Sequence, residues 1–179
     1  QLDSVAQVLQ TRNDLVPVLA LIFVLGGIVF KFGAVPFHMW VPDVYQGAAT
    51  PTTLFIASAP KVAAFAITVL LVQAMPSLAV DWMQILIVIS VLSMFLGNAL
   101  AIVQTNIKRM FAYSSIAHIG YTLLGVIAGP NSTSGYSAAM FYITTYVLVV
   151  AGAFGIIAIM SRDGVEYDKL DDFRGLNAR

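Results

Sequence analysis

The sequence predicts an all-α membrane protein of about five transmembrane helices, the first of them broken near Gly33–Pro36. Three observations predict it. Hydrophobic residues make up 59% of the 179-residue chain and charged residues only 10%, whereas soluble domains carry roughly 25% charged residues. The apolar residues come in long blocks, each close to the ~20 residues that a helix needs to cross the hydrocarbon core. Strict two-residue alternation is absent, which disfavours a membrane barrel.

The blocks follow in order. Leu15–Val35 is the first, then Leu54–Met75, Met83–Val103, Met110–Ala128 and Tyr136–Met160. Polar or helix-breaking residues mark the short links: Pro76-Ser77 with Asp81, Gln104-Thr105-Asn106, and Gly129-Pro130-Asn131-Ser132. Short links imply that sequential helices pack antiparallel. Residues 1–161 are expected to form the transmembrane bundle, and 162–179 a charged, solvated cytoplasmic loop. Six basic residues (Lys108, Arg109, Arg162, Lys169, Arg174 and Arg179) fall on one side of this topology and only Arg12 on the other. The positive-inside rule then puts the tail in the cytoplasm and the N-terminus outside. Lys108 and Arg109 are read as anchors of that topology.

Composition also excludes. Nine basic and nine acidic residues balance, and no basic patch points to nucleic acid. The chain has no cysteine, which rules out disulfides, cysteine nucleophiles and thiolate-ligated clusters. No phosphate-binding glycine loop is visible. The chain starts at Gln1 without a signal peptide and is expected to be an internal piece of a longer protein.

Ionisable groups inside such helices are expensive, near ~2.5–3.5 kcal/mol for a lysine at a helix centre, and usually mark an ion path. Lys31 lies roughly 24 Å along the first block, just before Phe32-Gly33-Ala34-Val35-Pro36. Gly33 permits unusual dihedrals and Pro36 disfavours helix at Val35, so a break at membrane depth is expected. Lys61 is the lone charge between Asp43 and Asp81. Pro60 beside it should free the Ile56 carbonyl, and Ser58 adds a hydroxyl. His118 lies roughly 15 Å inward of Lys108 and shares a helix face with Ser114 and Tyr121. A histidine suits proton relay near neutral pH. His38 is a weaker candidate, at the mouth of such a path, and Asp43 could attract protons there. Trp40 and Tyr45 suit the interfacial belt. Burial favours the uncharged form of a lysine and a nearby acid the charged one, so moving a charge can make a buried lysine take up or release a proton. Each of these groups could instead be structural: a snorkelling lysine, a paired core lysine or a hydrogen-bonded core histidine.

Three stretches carry a family resemblance. Lys31-Phe-Gly-Ala-Val-Pro-Phe-His-Met-Trp-Val-Pro-Asp-Val-Tyr-Gln-Gly-Ala48 resembles the broken-helix motif of the antiporter-like membrane subunits of respiratory complex I. Ala59-Pro-Lys-Val-Ala-Ala-Phe65 is similar to the helix that follows. Asn106-Ile-Lys-Arg-Met-Phe-Ala-Tyr-Ser-Ser-Ile-Ala-His-Ile-Gly-Tyr121 is similar to a third signature. They stand in the family's order, and the Pro42–Ala48 wording is most similar to its N-type subunits. The resemblance covers about residues 15–165 and extends to Mrp-type cation antiporters.

The resemblance implies one inverted-repeat half of a larger subunit with about fourteen helices. It implies proton translocation coupled to electron transfer from NADH to quinone, with Lys31 and Lys61 as the paired central lysines and His118 as the relay histidine. A partner glutamate would lie upstream and an exit residue downstream, so this piece alone should not pump. The chain would be a subunit of a proton-translocating oxidoreductase without a redox site of its own. NADH, FMN, iron–sulfur clusters and quinone would belong to other subunits, and no cofactor or metal is expected here. Partners would be other membrane subunits, antiporter-like neighbours among them, and the lipid of a bacterial inner membrane. Competing readings are an Mrp-type cation/proton antiporter subunit and a scaffold whose lysines only hold helices together.

Overall fold

In the computed structural model, residues 15–132, 134–161 and 166–175 are described; Arg12, Arg162 and Arg179 of the charge count lie outside them. Among the described residues seven α-helices follow in order: α1 (Leu15–Phe32), α2 (Trp40–Gly47), α3 (Thr50–Ala57), α4 (Ala59–Ala74), α5 (Ala79–Ile102), α6 (Ile107–Ala128) and α7 (Gly135–Met160). The continuous stretch Thr50–Ala74 (α3 with α4), and the helices Val80–Ile102, Ile107–Asn131 and Gly135–Met160, are long and apolar enough to cross a membrane; Val16–Phe32 is apolar but shorter. The expected all-α membrane fold is thus present, and its first apolar block is a helix that stops at Phe32 rather than Val35.

The stop is built by Gly33. Its φ of 70° is a conformation that glycine adopts freely, and a Cβ there would collide with Val41 Cγ2. The turn is closed by Gly33 N donating to Phe30 O (2.9 Å) and Ala34 N to Val29 O (3.0 Å). Val35 N, past the helix, donates to Ser93 Oγ on α5 at 3.0 Å, and the Trp40 indole donates back to Phe30 O at 3.2 Å. Non-helical backbone at membrane depth survives only with such substitutes.

A second break separates α3 from α4, at Ser58 (φ −113°, ψ −86°). The break falls between Ile56, whose carbonyl Pro60 cannot bond, and Pro60 itself, which stands in the first turn of α4, where its missing N–H costs nothing. Proline here opens a helix rather than interrupting one. Ser58 Oγ donates to Leu54 O at 2.7 Å and Lys61 N to Ser58 O at 3.1 Å, which satisfies the kink locally.

The tightest packing joins α5 to α6. A Cβ on Gly97 would come within 2.6 Å of Ala117 N, and one on Gly120 within 2.7 Å of Ser90 O. Small residues let membrane helices approach to backbone contact. Ser90 Oγ adds a 2.7 Å hydrogen bond to Gly120 O across that contact. Two apolar clusters result. One joins α1, α4, α5 and α6 around Phe32, Phe65, Trp82, Leu86 and Leu123. The other joins α2, α3, α6 and α7 around Tyr45, Ile116, Tyr146 and Phe154.

The described part of the tail, residues 166–175, is mostly exposed and docks across the start of α6. Ile107 N donates to Asp168 O (2.7 Å), Leu170 N to Thr105 O (3.0 Å), and Asn106 Nδ2 to Asp168 Oδ2 (2.6 Å). Phe173 packs against the second cluster.

Candidate functional site

Lys61 sits in the first turns of α4, just past the Ser58 break, and is only 3% exposed. Its neighbours are tyrosines. Nζ is 3.5 Å from the Tyr146 hydroxyl and faces the rings of Tyr146 and Tyr45 at 5.4 and 5.8 Å. Ring faces attract a cation within about 6 Å, more strongly when both are desolvated. Among the described residues no carboxylate pairs with Lys61, so its charge rests on aromatic faces and one hydroxyl.

His118, half-buried on α6, adjoins the same tyrosines. Its Nδ1 is 2.7 Å from the Tyr142 hydroxyl, and its ring lies 5.1 Å from that of Tyr146 and 6.1 Å from that of Tyr121. Tyr142 and Tyr146 are four apart on α7 and share a face. Ser114, His118, Tyr142, Thr145 and Tyr146 line a cleft of about 180 Å³ together with apolar residues. That exceeds the ~30 Å³ that one water occupies in the liquid.

Lys61 and His118 therefore converge on one aromatic, partly hydroxylated centre. Hydroxyl and imidazole groups each accept and donate a proton, so this centre can hold or pass one. The other two candidates stand apart. Lys31 is exposed, at the end of α1, and makes no hydrogen bond or ion pair among the described residues. His38 lies in the α1–α2 link, where its Nδ1 is buried without a partner among the described residues.

Sequence reasoning missed Tyr45, Tyr142 and Tyr146. Tyr45, expected in the interfacial belt, is 1% exposed. The available signal was the i, i+4 tyrosine pair on one apolar helix. The anchor reading of Lys108 also needs correction. Its side chain is buried, donating to Ala48 O at 2.9 Å and forming an ion pair with Glu166 of the tail. A charge so placed in an apolar bundle needs a partner more than it needs the interface. Arg109 pairs with Asp43 at 2.6 Å in a more exposed position and reaches Gln46 at 3.2 Å.

Helices long and apolar enough to cross a membrane, one of them interrupted at Ser58, around a lysine buried among tyrosines and a histidine define a polytopic membrane protein with ionisable groups inside its bundle. The profile of the NADH:quinone oxidoreductase/Mrp antiporter transmembrane family matches residues 1–179, and the chain belongs to that family. It is 56% identical to NADH-quinone oxidoreductase subunit N of Herminiimonas arsenicoxydans, over 99% of this chain and 38% of that protein. It is also 56% identical to subunit N of Coxiella burnetii, over 94% of this chain and 35% of the relative. The chain thus spans little more than a third of the length of these relatives. Among solved structures, respiratory complex I from Thermus thermophilus with bound aureothin matches with a TM-score of 0.73 and 38% identity, over 90% of this chain and 34% of that one. An archaeal membrane-bound sulfane sulfur reductase shares the fold, with a TM-score of 0.77 at 24% identity over 94% of this chain and 35% of that one.

Proposed function

We propose that this chain belongs to an N-type membrane subunit that moves protons across a bacterial inner membrane, driven by electron transfer from NADH to quinone in a complex I assembly. The observation that carries this reading is Lys61, buried without a carboxylate partner among the described residues and set against Tyr146 beside His118. In this reading Lys61 takes up a proton, the Tyr146 hydroxyl carries it toward His118 and Tyr142, and His118 passes it on. Lys31 and His38 supply protons to Lys61. Lys31 then faces helices of the full-length subunit, of which the chain spans about a third. The redox cofactors (NADH, FMN, iron–sulfur clusters and quinone) belong to other subunits. The tail is cytoplasmic and the N-terminus faces outward, as the charge count favours.

The test is NADH-driven acidification of membrane vesicles carrying the full-length subunit with Lys61→Ala, measured with NADH oxidation and complex assembly. Assembled complex with pumping and turnover reduced together is the expected result. Normal pumping overturns the reading. Pumping that follows sodium rather than NADH would favour the Mrp-type antiporter instead, and a loss of assembly alone would favour the scaffold.

A further inference from the structure

The second cluster of ionisable groups is not the lysine–tyrosine centre but the junction behind it. Lys108, 1% exposed, opens α6. Its Nζ holds the Ala48 carbonyl at 2.9 Å, the first residue past α2. Glu166 pairs with Lys108 through Oε2. Its other oxygen, Oε1, accepts from Thr50 N at 2.9 Å and from Thr50 Oγ1 at 3.1 Å, so the tail caps the first residue of α3. One ion pair therefore grips the end of one half-helix and the start of the next. Thr53 reinforces the grip, its hydroxyl lying 3.2 Å from the Tyr45 carbonyl.

What the junction carries gives this a consequence. Tyr45, in the last turn of α2, offers its ring to Lys61. It lies three residues before Ala48 and five before Thr50. The helix that Glu166 caps is α3, which leads through Ser58 to Lys61 three residues later. The junction thus joins the helix that carries Tyr45 to the one that leads to Lys61. Glu166 and Lys108 are 58 residues apart and on different elements, and neither touches Lys61.

We propose that the Glu166–Lys108 pair is a positioning device for Lys61: it sets the separation of α2 and α3, and through them the placement of Tyr45 and Lys61. The proposal rests on the reading of Lys61 as a proton carrier. A misplacement of about 1 Å at a reacting group can cost on the order of a hundredfold in rate, so a smaller displacement here should be plainly measurable. The titratable groups that face Lys61 are Tyr45 from α2 and Tyr146 from α7, with His118 from α6 behind Tyr146. Those facing the clamp are Lys108 and Glu166 themselves. A shift in the pH profile of turnover on changing Glu166 therefore reports Lys61 and its tyrosines at a distance.

The experiment uses the full-length subunit in its assembled complex, in vesicles, with Glu166→Gln and Glu166→Ala beside Lys61→Ala. Gln keeps an oxygen for Thr50 and removes the charge that Lys108 faces; Ala removes both. Turnover and pumping per assembled complex should fall about tenfold with Ala and by less with Gln, with the pH profile displaced in both. Unchanged turnover and pH profile in assembled complex overturns the inference. So does a loss of assembly in both variants, or a reduced amount of complex with normal activity per complex, since either assigns the pair to folding. If Lys61→Ala itself pumps normally, the underlying reading fails; if Lys61→Ala is inactive while both Glu166 variants are normal, only the positioning inference fails.

Discussion

The ammonium of Lys61 lies 3.5 Å from the hydroxyl of Tyr146 and 5.4 Å from the centre of its ring, so one tyrosine serves it both as hydrogen-bond partner and as aromatic neighbour. The two roles can be separated. In Tyr146→Phe the ring and its packing stay and the hydroxyl goes. Assembly should be unchanged, and NADH-driven pumping in vesicles should fall by about a hundredfold, the low end of what a positioned proton-transfer group contributes. Wild-type pumping in Tyr146→Phe would remove the hydroxyl from the path.

His118 and Tyr142 share a 2.7 Å hydrogen bond and should behave as one unit. His118→Ala and Tyr142→Phe should each lower pumping, and the double variant should be little worse than His118→Ala alone, because neighbours in one network are not additive. A double-mutant cycle on pumping rates checks this. Additive losses would mean that the two act separately.

Close approach of α5 and α6 depends on Gly97 and Gly120. Gly97→Val places carbon where backbone atoms of α6 already lie. Overpacking of this kind costs about 1–3 kcal/mol, and the full-length protein in detergent should unfold at a lower temperature. Gly152→Ala, where a Cβ meets nothing within 4 Å, is the control and should leave the melting temperature nearly unchanged.

Docking of the tail should resist mild acid. Burial would raise the Glu166 carboxyl, but the Lys108 ammonium and the Thr50 N–H and hydroxyl outweigh it and hold the group below its ordinary 4.5. A carboxylate with a depressed folded value contributes stability that is complete above its unfolded value and lost as pH falls through the folded one. Hydrogen exchange of the 166–173 amides should therefore stay slow from neutral pH to near 4.5 and accelerate, beyond its intrinsic pH dependence, only below that. Release of the tail at about pH 6, well above the ordinary carboxylate range, would contradict the pairing.

Much of the fold was legible, and for local reasons. Long apolar blocks fix spans whatever their partners. Gly33 and Pro36 act on their own backbone, so the end of α1 could be read within three residues. Lys61 and His118 were legible because a lone polar group in an apolar run is conspicuous. Tyr45 and Tyr146 were not, because a tyrosine suits an interface and an interior equally, and only the packing of α2 and α7 decides between them. Lys108 was misread because the partner that buries it, Glu166, is 58 residues away in a stretch whose charge density resembles free loop.

Ser93 has a consequence for motion. Its hydroxyl accepts the Val35 amide at the broken end of α1, and one turn earlier on the same helix Ser90 donates to Gly120 of α6. A slide of α5 by even one residue, about 1.5 Å, would strand an amide on one side and pull apart a pair of interlocked backbones on the other. The middle of α5 is thus pinned on both flanks, to the broken end of α1 through Ser93 and to α6 through Ser90.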